Sequence, residues 1–509
     1  MTAGTAPARH GFTLGTRLLP ALTFVIATAI ALWAAAPYTV GVFHDDGIYV
    51  LLAKSIAEGN GFHHSHLVGN PAAIHYPPLY PLLLAAFWRV APDFPANVSR
   101  LLSLNALLLG ISALGWYRFA VIQLKWRSGN AALGALAGTL AAPLLTLSGA
   151  LLSEPFFLAL LWPALLLCER TAQFSDVRRV VLAGAFIGVL MLARVHGVAL
   201  LAALGVVLVM RKRPRDAAIL LAAAVIVELP WQLWMRWASP PVAKPLEGAY
   251  GSYLGWLLTG VRDGGLPFVV STVLANASEM WLLLRDQFAA GLPAPVITIV
   301  CVIVLVALGG GAAAAFRKAP VIVAFMLAYI GIVKVWPYTP WRFMWAIWPV
   351  LVMLTLEGLR FTWNAAGRRR FIVGLAAALP VFAYGRTELS AYATRAWRIP
   401  ARNATAQITP ALNWVRVNTG KDDVILSEGE QVIALYTGRK AAPPNSFTAQ
   451  EYLVPPDDAA SRQRLGEMLA AIPAKYVIVF APPMIRAAER ASLERVATLT
   501  NGAVFRVAR

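Results

Sequence analysis

Apolar stretches long enough to cross a bilayer recur along this chain from residue 18 to about residue 385, and nothing else in the sequence constrains its fold as much. A run of about 20 apolar residues crosses a ~30 Å hydrocarbon core as a helix, because lipid offers no partner to an exposed backbone amide. Eleven such runs can be read, at 18–36, 98–117, 130–148, 152–168, 180–193, 197–210, 217–235, 292–310, 319–336, 341–357 and 371–385. Hydrophobic types make up 59% of the 509 residues and charged types 14%, against roughly 45–50% and 25% in soluble domains. A soluble globular enzyme, a disordered chain and a fibrous repeat are thereby excluded. Cys168 and Cys301 both sit in apolar runs, without disulfide or metal-ligand spacing. The expected fold is a polytopic α-helical membrane protein with about 11 transmembrane helices.

The net charge of +19 suggests nucleic acid until its distribution is followed. With the N-terminus placed in the cytoplasm, one side of the membrane collects Arg9 and Arg17; Arg118, Lys125 and Arg127; Arg170, Arg178 and Arg179; Arg211, Lys212, Arg213 and Arg215; Arg317 and Lys318; and Arg360, Arg368, Arg369 and Arg370. The acidic residues on that side are Glu169, Asp176, Asp216 and Glu357. This is the positive-inside bias of a plasma-membrane protein, and it makes a nucleic-acid partner unnecessary. The first run is long for a cleaved signal peptide, and no A-x-A-like site followed by a soluble body comes after it, so it reads as a signal anchor.

The stretch between Arg179 and Arg211 decides the topology. As one helix its 31 residues would reach ~47 Å, too far for one crossing, and would leave Arg211–Arg215 on the outer side. Two short helices are expected instead, meeting at Ala193-Arg194-Val195-His196-Gly197 inside protein, where a charge is tolerated. Residues 1–385 then form a membrane domain with external loops 37–97 and 236–291. The first loop holds helix-like pieces at 48–58 and 79–90; the second holds an amphipathic stretch near 271–285. Composition changes after 385, and 386–509 reads as a small external α/β domain. Val424–Ser427 and Tyr476–Phe480 are its expected strands; Thr409–Val417, Glu430–Tyr436 and Ala459–Ala471 are its expected helices, with Thr409 as an N-cap before Pro410. The multi-pass chain thus ends outside the cell membrane. No repeat of 20–50 residues is apparent.

Chemistry-bearing residues gather at the outer face. Asp45 and Asp46 follow the first span, where one can act as a base on a hydroxyl or the pair can hold a divalent cation; a solvated loop end is the plainer alternative. His75-Tyr76-Pro77-Pro78 presents two polar rings on a stiff diproline, which also starts a helix. Glu154 opens a span, a favourable dipole position and an ionisable group at membrane depth. Arg194 and His196 sit at the hairpin tip, and Arg342 follows Trp336–Trp341; either arginine can snorkel, or pair with Asp45, Asp46 or Glu154. Carboxylates and guanidiniums at one interface suit a lipid phosphate and a hydroxyl nucleophile. The Trp and Tyr residues of the outer loops read first as an interfacial belt.

These segments resemble the GT-C fold glycosyltransferases that use polyprenyl-phosphate sugars, the superfamily of protein O-mannosyltransferases and of the aminoarabinose transferase for lipid A. His44-Asp45-Asp46-Gly47-Ile48-Tyr49 resembles the acidic motif after the first span. Tyr76-Pro77-Pro78-Leu79-Tyr80 resembles the Pro-Pro-Leu motif, Leu152-Ser153-Glu154-Pro155 the second acidic motif, Arg194-Val195-His196-Gly197 the basic turn after the fifth span, and Thr339-Pro340-Trp341-Arg342-Phe343 the late Arg-Tyr segment. The likeness covers about residues 20–360. It implies inverting transfer of a sugar from a polyprenyl-phosphate donor to a hydroxyl of a glycan, lipid or protein acceptor at the external face. Asp45 and Asp46 would be catalytic, Asp45 as base; His75, Tyr76, Glu154, Arg194, His196 and Arg342 would bind substrate. Some members carry Lys where this chain has Tyr76, so phosphate binding here falls to Arg194, Arg342 or His75. Members differ in metal dependence; no cofactor is required by the motifs, and Asp45, Asp46 and Glu154 are the ligands should a divalent cation bind. A transporter or flippase of a lipid-linked sugar is the alternative, although transporters hold their charges at the midplane in broken helices.

Overall fold

The computed structural model describes residues 14–508, with side chains from residue 18. Arg9 and the Arg17 side chain, the first cations assigned to the cytoplasmic side, lie outside the described residues. Helix α1 (Leu14–Ala34) leads to α2 (Asp45–Ala57) and α3 (Leu79–Val90). The bundle continues through α4 (Val98–Ile122), α5 (Ser128–Thr139), α6 (Ala142–Ser148), α7 (Glu154–Gln173), α8 (Val177–Ala193), α9 (Val198–Met210) and α10 (Pro214–Trp237). After α11 (Glu247–Tyr250) come α12 (Tyr253–Ala289), α13 (Ala294–Phe316), α14 (Pro320–Val335), α15 (Trp341–Ala346), α16 (Trp348–Ala365) and α17 (Arg370–Thr394).

Among the described residues, six helices are long and apolar enough to cross a membrane: α4, α7, α10, α12, α13 and the run Gly367–Thr394. A seventh span results if α5 and α6, bent by 63°, are taken as one. Ile226, Val306 and Phe382 stand exposed on α10, α13 and α17, an apolar belt that only lipid covers at low cost. The chain is a multi-pass membrane protein. Each of the eleven expected runs is helical; fewer of them pass this test of length and apolarity, and the count of about eleven is not fixed by it. Val195–Met210 and Pro320–Val335 are apolar helices below that length, as is Leu18–Ala34, the part of α1 whose side chains are described. The runs 130–148 and 341–357 each break where a proline takes the first turn of a new helix, Pro143 in α6 and Pro349 in α16. The expected break within 180–210 is present: α8 ends at Ala193 and α9 begins at Val198, joined by the 3-10 turn Val195–Gly197. The stretch near 271–285, expected outside, belongs instead to the 37-residue α12, which kinks at Gly265 (φ 61°, ψ −158°) and passes the same test for a span. Only glycine takes that conformation readily, and it lets Pro267 open a fresh helical segment.

Close packing comes from small residues. A Cβ on Gly311 of α13 would stand 1.7 Å from the Leu354 carbonyl oxygen, and one on Gly358 of α16 would stand 1.8 Å from that of Ala307. The two backbones therefore touch, as helices in lipid do where dispersion replaces the hydrophobic drive.

The tail holds α18 (Ile399–Asn418), β1 (Ile425–Ser427), α19 (Glu430–Thr437), β2 (Ala441–Ala442), α20 (Asp458–Ala471), β3 (Tyr476–Val479), α21 (Pro482–Arg490), β4 (Glu494–Leu499) and β5 (Gly502–Arg506). The sheet order is β2-β1-β3-β5-β4, with β1 parallel to β2 and β3, and β5 antiparallel to β3 and β4. The expected N-cap at Thr409 is corrected: α18 starts ten residues earlier, with Pro400 in its first turn, and runs through Pro410. Pro410 forfeits one amide bond, and burial of Ile408, Ala411, Leu412 and Val415 carries the helix past it. Val432 and Ile433 of α19 share one apolar core with Ile48 and Leu52 of α2 and Tyr80 of α3. The tail is thus packed onto the first loop.

Candidate active site

The turn before α2 sets the position of its first residue. His44 adopts φ 64° and ψ −70°, and the Asp45 amide donates to the Phe43 carbonyl at 2.8 Å. This is a γ-turn of the rarer, strained hand, centred on a non-glycine residue. Asp45 and Asp46 are the first two residues of the helix it opens, so their side chains project about 100° apart.

Asp46 faces inward and is fully buried. Its carboxylate accepts from the Tyr38 hydroxyl (2.8 Å) and from the amides of Gly41 (2.9 Å) and Phe43 (3.0 Å). The Tyr38 oxygen accepts in turn from the Leu151 amide at 2.9 Å. Burial pushes the Asp46 carboxyl up, against the opposing pull of those donors.

Asp45 faces the ion network. One oxygen accepts from the Tyr76 hydroxyl at 2.7 Å and the other from Arg342 Nη1 at 2.5 Å. Burial alone would raise this carboxyl; Arg342, His44 and the Tyr76 hydroxyl outweigh it and hold it at about 2. Arg342 also forks onto Glu154, Nε to Oε1 at 2.5 Å and Nη2 to Oε2 at 3.2 Å, the bidentate geometry guanidinium favours. Arg194 Nη1 reaches Glu154 Oε1 at 2.9 Å and Ser153 Oγ at 2.8 Å, while its buried Nε has no partner. Ser153 Oγ lies 3.1 Å from the Tyr49 hydroxyl, one turn beyond Asp45 on α2.

Two carboxylates and two guanidiniums thus form one neutral network drawn from α2, α7, α15 and the α8–α9 turn. Its access is one-sided. The Glu154 side chain is 0% exposed and that of Arg194 8%, whereas those of Arg342 and Asp45 are 26% and 22% exposed. The Asp45–Arg342 edge is the side of the network open to the surroundings.

The other expected residues frame this edge. His75 Nδ1–H donates to the Gly251 carbonyl at 2.6 Å, and its ring lies 3.8 Å from that of Tyr253. Burial pushes this imidazole down to about 4, so it is neutral near pH 7 and has no charge with which to hold a phosphate. His196 sits between Tyr329 and Phe343, with ring centroids 5.2 and 5.1 Å away, close to the network but without a hydrogen bond to Asp45, Glu154 or either arginine. Ser153, Tyr49 and Tyr253 also belong to the site. Tyr49 was signalled by its helical spacing from Asp45; the contact of Tyr253 with His75 had no local signal.

A resident cation does not fit this arrangement. Among the described residues no group of three or more His, Cys, Asp or Glu is placed to hold a metal. The guanidinium of Arg342 occupies the space between Asp45 and Glu154, and the Asp46 oxygens are turned to the backbone. A cavity of about 550 Å³ lies elsewhere, near the far end of α7 among Lys125, Arg170, Arg179 and Lys318.

No protein-family model matches the chain, and neither does the sequence of any curated protein. The fold does match solved structures. ArnT from Cupriavidus metallidurans in the apo state superposes with a TM-score of 0.52 at 12% identity, over 96% of this chain and 97% of ArnT. The same protein bound to undecaprenyl phosphate gives 0.50 at 12% identity, over 97% and 98%. The Archaeoglobus fulgidus oligosaccharyltransferase complex with Zn and sulfate gives 0.49 at 14% identity, over 90% of this chain and 67% of that one.

Proposed function

We propose, from the premise that this chain has the GT-C fold of membrane glycosyltransferases, that it moves a sugar from a polyprenyl-phosphate donor to a hydroxyl acceptor at the external membrane face. The observation that carries this reading is the Asp45–Arg342 pair, a base and a phosphate-binding cation sharing the open edge of an otherwise buried ionic network. The ArnT structure with undecaprenyl phosphate supports a lipid phosphate as the donor's anchor.

The network is closed and neutral as it stands, and an arriving phosphate changes it. Its oxygens compete with Asp45 for Arg342 Nη1, because that guanidinium has an exposed side. As Arg342 turns to the phosphate, Asp45 loses the charge that holds its pKa at about 2 and becomes a stronger base. Donor binding therefore arms the residue that acts next. The acceptor hydroxyl gives its proton to Asp45 while its oxygen bonds to the anomeric carbon. The bond from that carbon to the phosphate oxygen breaks on the opposite face, and polyprenyl phosphate leaves with the electron pair. Attack and departure on opposite faces invert the anomeric centre. Arg342 and, behind it, Arg194 stabilise the growing charge on the leaving phosphate. Glu154 holds both arginines; Asp46 fixes the turn rather than sharing the proton transfer.

The test is purified protein in lipid nanodiscs with a panel of hexose, pentose and amino-sugar polyprenyl phosphates and hydroxyl acceptors. Wild type should form product, and Asp45→Asn should lower kcat by about 10²–10⁴. Equal inactivity of the two across the panel, or transbilayer movement of the lipid without product, overturns this assignment.

A further inference from the structure

The tail reaches the turn before Asp45 through several residues: Tyr436 and Thr405 accept from the amides of Val40 and Thr39, and Gln431 bonds the His44 ring. Gln431, the second residue of α19, is 1% exposed. Its Nε2–H donates to His44 Nδ1 at 2.6 Å and to Glu430 Oε1 at 2.7 Å. Glu430 is itself buried and accepts from the Tyr250 hydroxyl at 2.9 Å, which accepts from His66 Nε2 at 3.2 Å. The Gln431 amide is thus fixed on its far side before it reaches His44. Its Cβ is fixed as well, since a Cβ on Gly47, in the first turn of α2, would stand 2.6 Å from Gln431 Cβ. Behind it, Val432 packs on Gly41, whose φ of 105° excludes most side chains.

Locally the turn is tied by Asp46, which accepts from the Gly41 and Phe43 amides. A side chain at φ 64° is still strained, by an amount comparable to one hydrogen bond, so a further hold on His44 from outside the loop matters. The γ-turn is what starts α2 at Asp45. We propose that Gln431 is a positioning residue: by holding the His44 imidazole from the tail, it keeps the strained turn closed and Asp45 aimed at Arg342. Residues 386–509 would then be part of the catalytic apparatus rather than an appended module. The kinetic part of this inference rests on the transferase assignment; the structural part does not.

The test uses Gln431→Met in the full-length protein, which keeps the Cβ and Cγ packing on Gly47 and removes the donor, together with His44→Gly and the double variant. Glycine takes φ 64° without strain, so the turn no longer needs the tail's hydrogen bond. Hydrogen–deuterium exchange in nanodiscs should show the amides of 45–49 exchanging about tenfold faster in Gln431→Met than in wild type. The double variant should return to within about twofold of wild type. In the transfer assay, Gln431→Met should lower kcat by about tenfold with donor KM nearly unchanged, and His44→Gly in that background should restore it. A merely structural loss would lower the amount of folded protein and would not be rescued by glycine at 44. Unchanged exchange at 45–49 in Gln431→Met, or no rescue in the double variant, overturns the proposal. Should wild type transfer no sugar at all, the exchange experiment still decides it.

Discussion

At the residue scale the site is an argument about Arg342. Three of its nitrogens bind carboxylate oxygens of Asp45 and Glu154, and a lysine offers one point charge in place of that fork. Arg342→Lys should therefore lower kcat/KM at least about tenfold, with donor KM raised, in the same nanodisc assay. The pH dependence follows from the buried histidines of the first loop. Burial holds His75 at about 4 and His66 at about 3, both below the ordinary imidazole value near 6.5. The unfolded chain binds those protons first as pH falls, so the stability they contribute is complete above pH ~6.5 and is lost on the way down to pH ~4. Melting in detergent should drop between pH 7 and pH 4, and His75→Phe should flatten that drop. Asp45 has the opposite origin and the same sign. Its lowered pKa contributes stability above about pH 4, lost only as pH falls toward 2. The identities of these residues were legible in the sequence because each is a polar group in an apolar setting. Their pairing was not: the sequence left Arg342 free to snorkel or to take Asp45, Asp46 or Glu154, and the bonds of Asp46 to Tyr38, Gly41 and Phe43 removed it from the choice.

At the element scale, helix contacts made by missing side chains dominate. The α13–α16 crossing depends on Gly311 and Gly358 facing each other's partner backbone. Gly358→Val should push the helices apart, lower the melting temperature in detergent and destabilise by about 2–4 kcal/mol or more, because the obstacle is a carbonyl rather than a flexible side chain. The mutant should also loosen the end of the bundle where Glu357 accepts from Trp126 Nε1 at 2.7 Å and Arg360 Nε at 2.8 Å. Element reading from sequence worked where arithmetic was decisive, as in the break between α8 and α9 in the stretch from Arg179 to Arg211. It failed where continuity depends on packing: most of α12 was read as an outer loop with one amphipathic stretch near 271–285, and α18 was started too late because Pro410 looked like a beginning.

At the scale of the whole molecule, the tail and the first loop are one apolar body. Removing 399–509 should strip cover from Ile48, Leu52 and Tyr80, and the truncated protein should elute as aggregate in size-exclusion chromatography where the full chain elutes as a single species. A monodisperse, active truncation would contradict both the shared core and the role given to Gln431. The sequence by itself determined that this chain lives in a membrane, where most of its apolar helices run, and which ionisable residues stand near their ends, because hydropathy and charge are local properties that the solvent reads residue by residue. Tertiary structure alone decided which carboxylate meets Arg342, where the apolar runs break, and that a glutamine some 390 residues downstream hydrogen-bonds His44 in the turn before Asp45. Those are contacts between distant parts of the chain, and they depend on close-packed geometry that has no periodicity for a sequence to display.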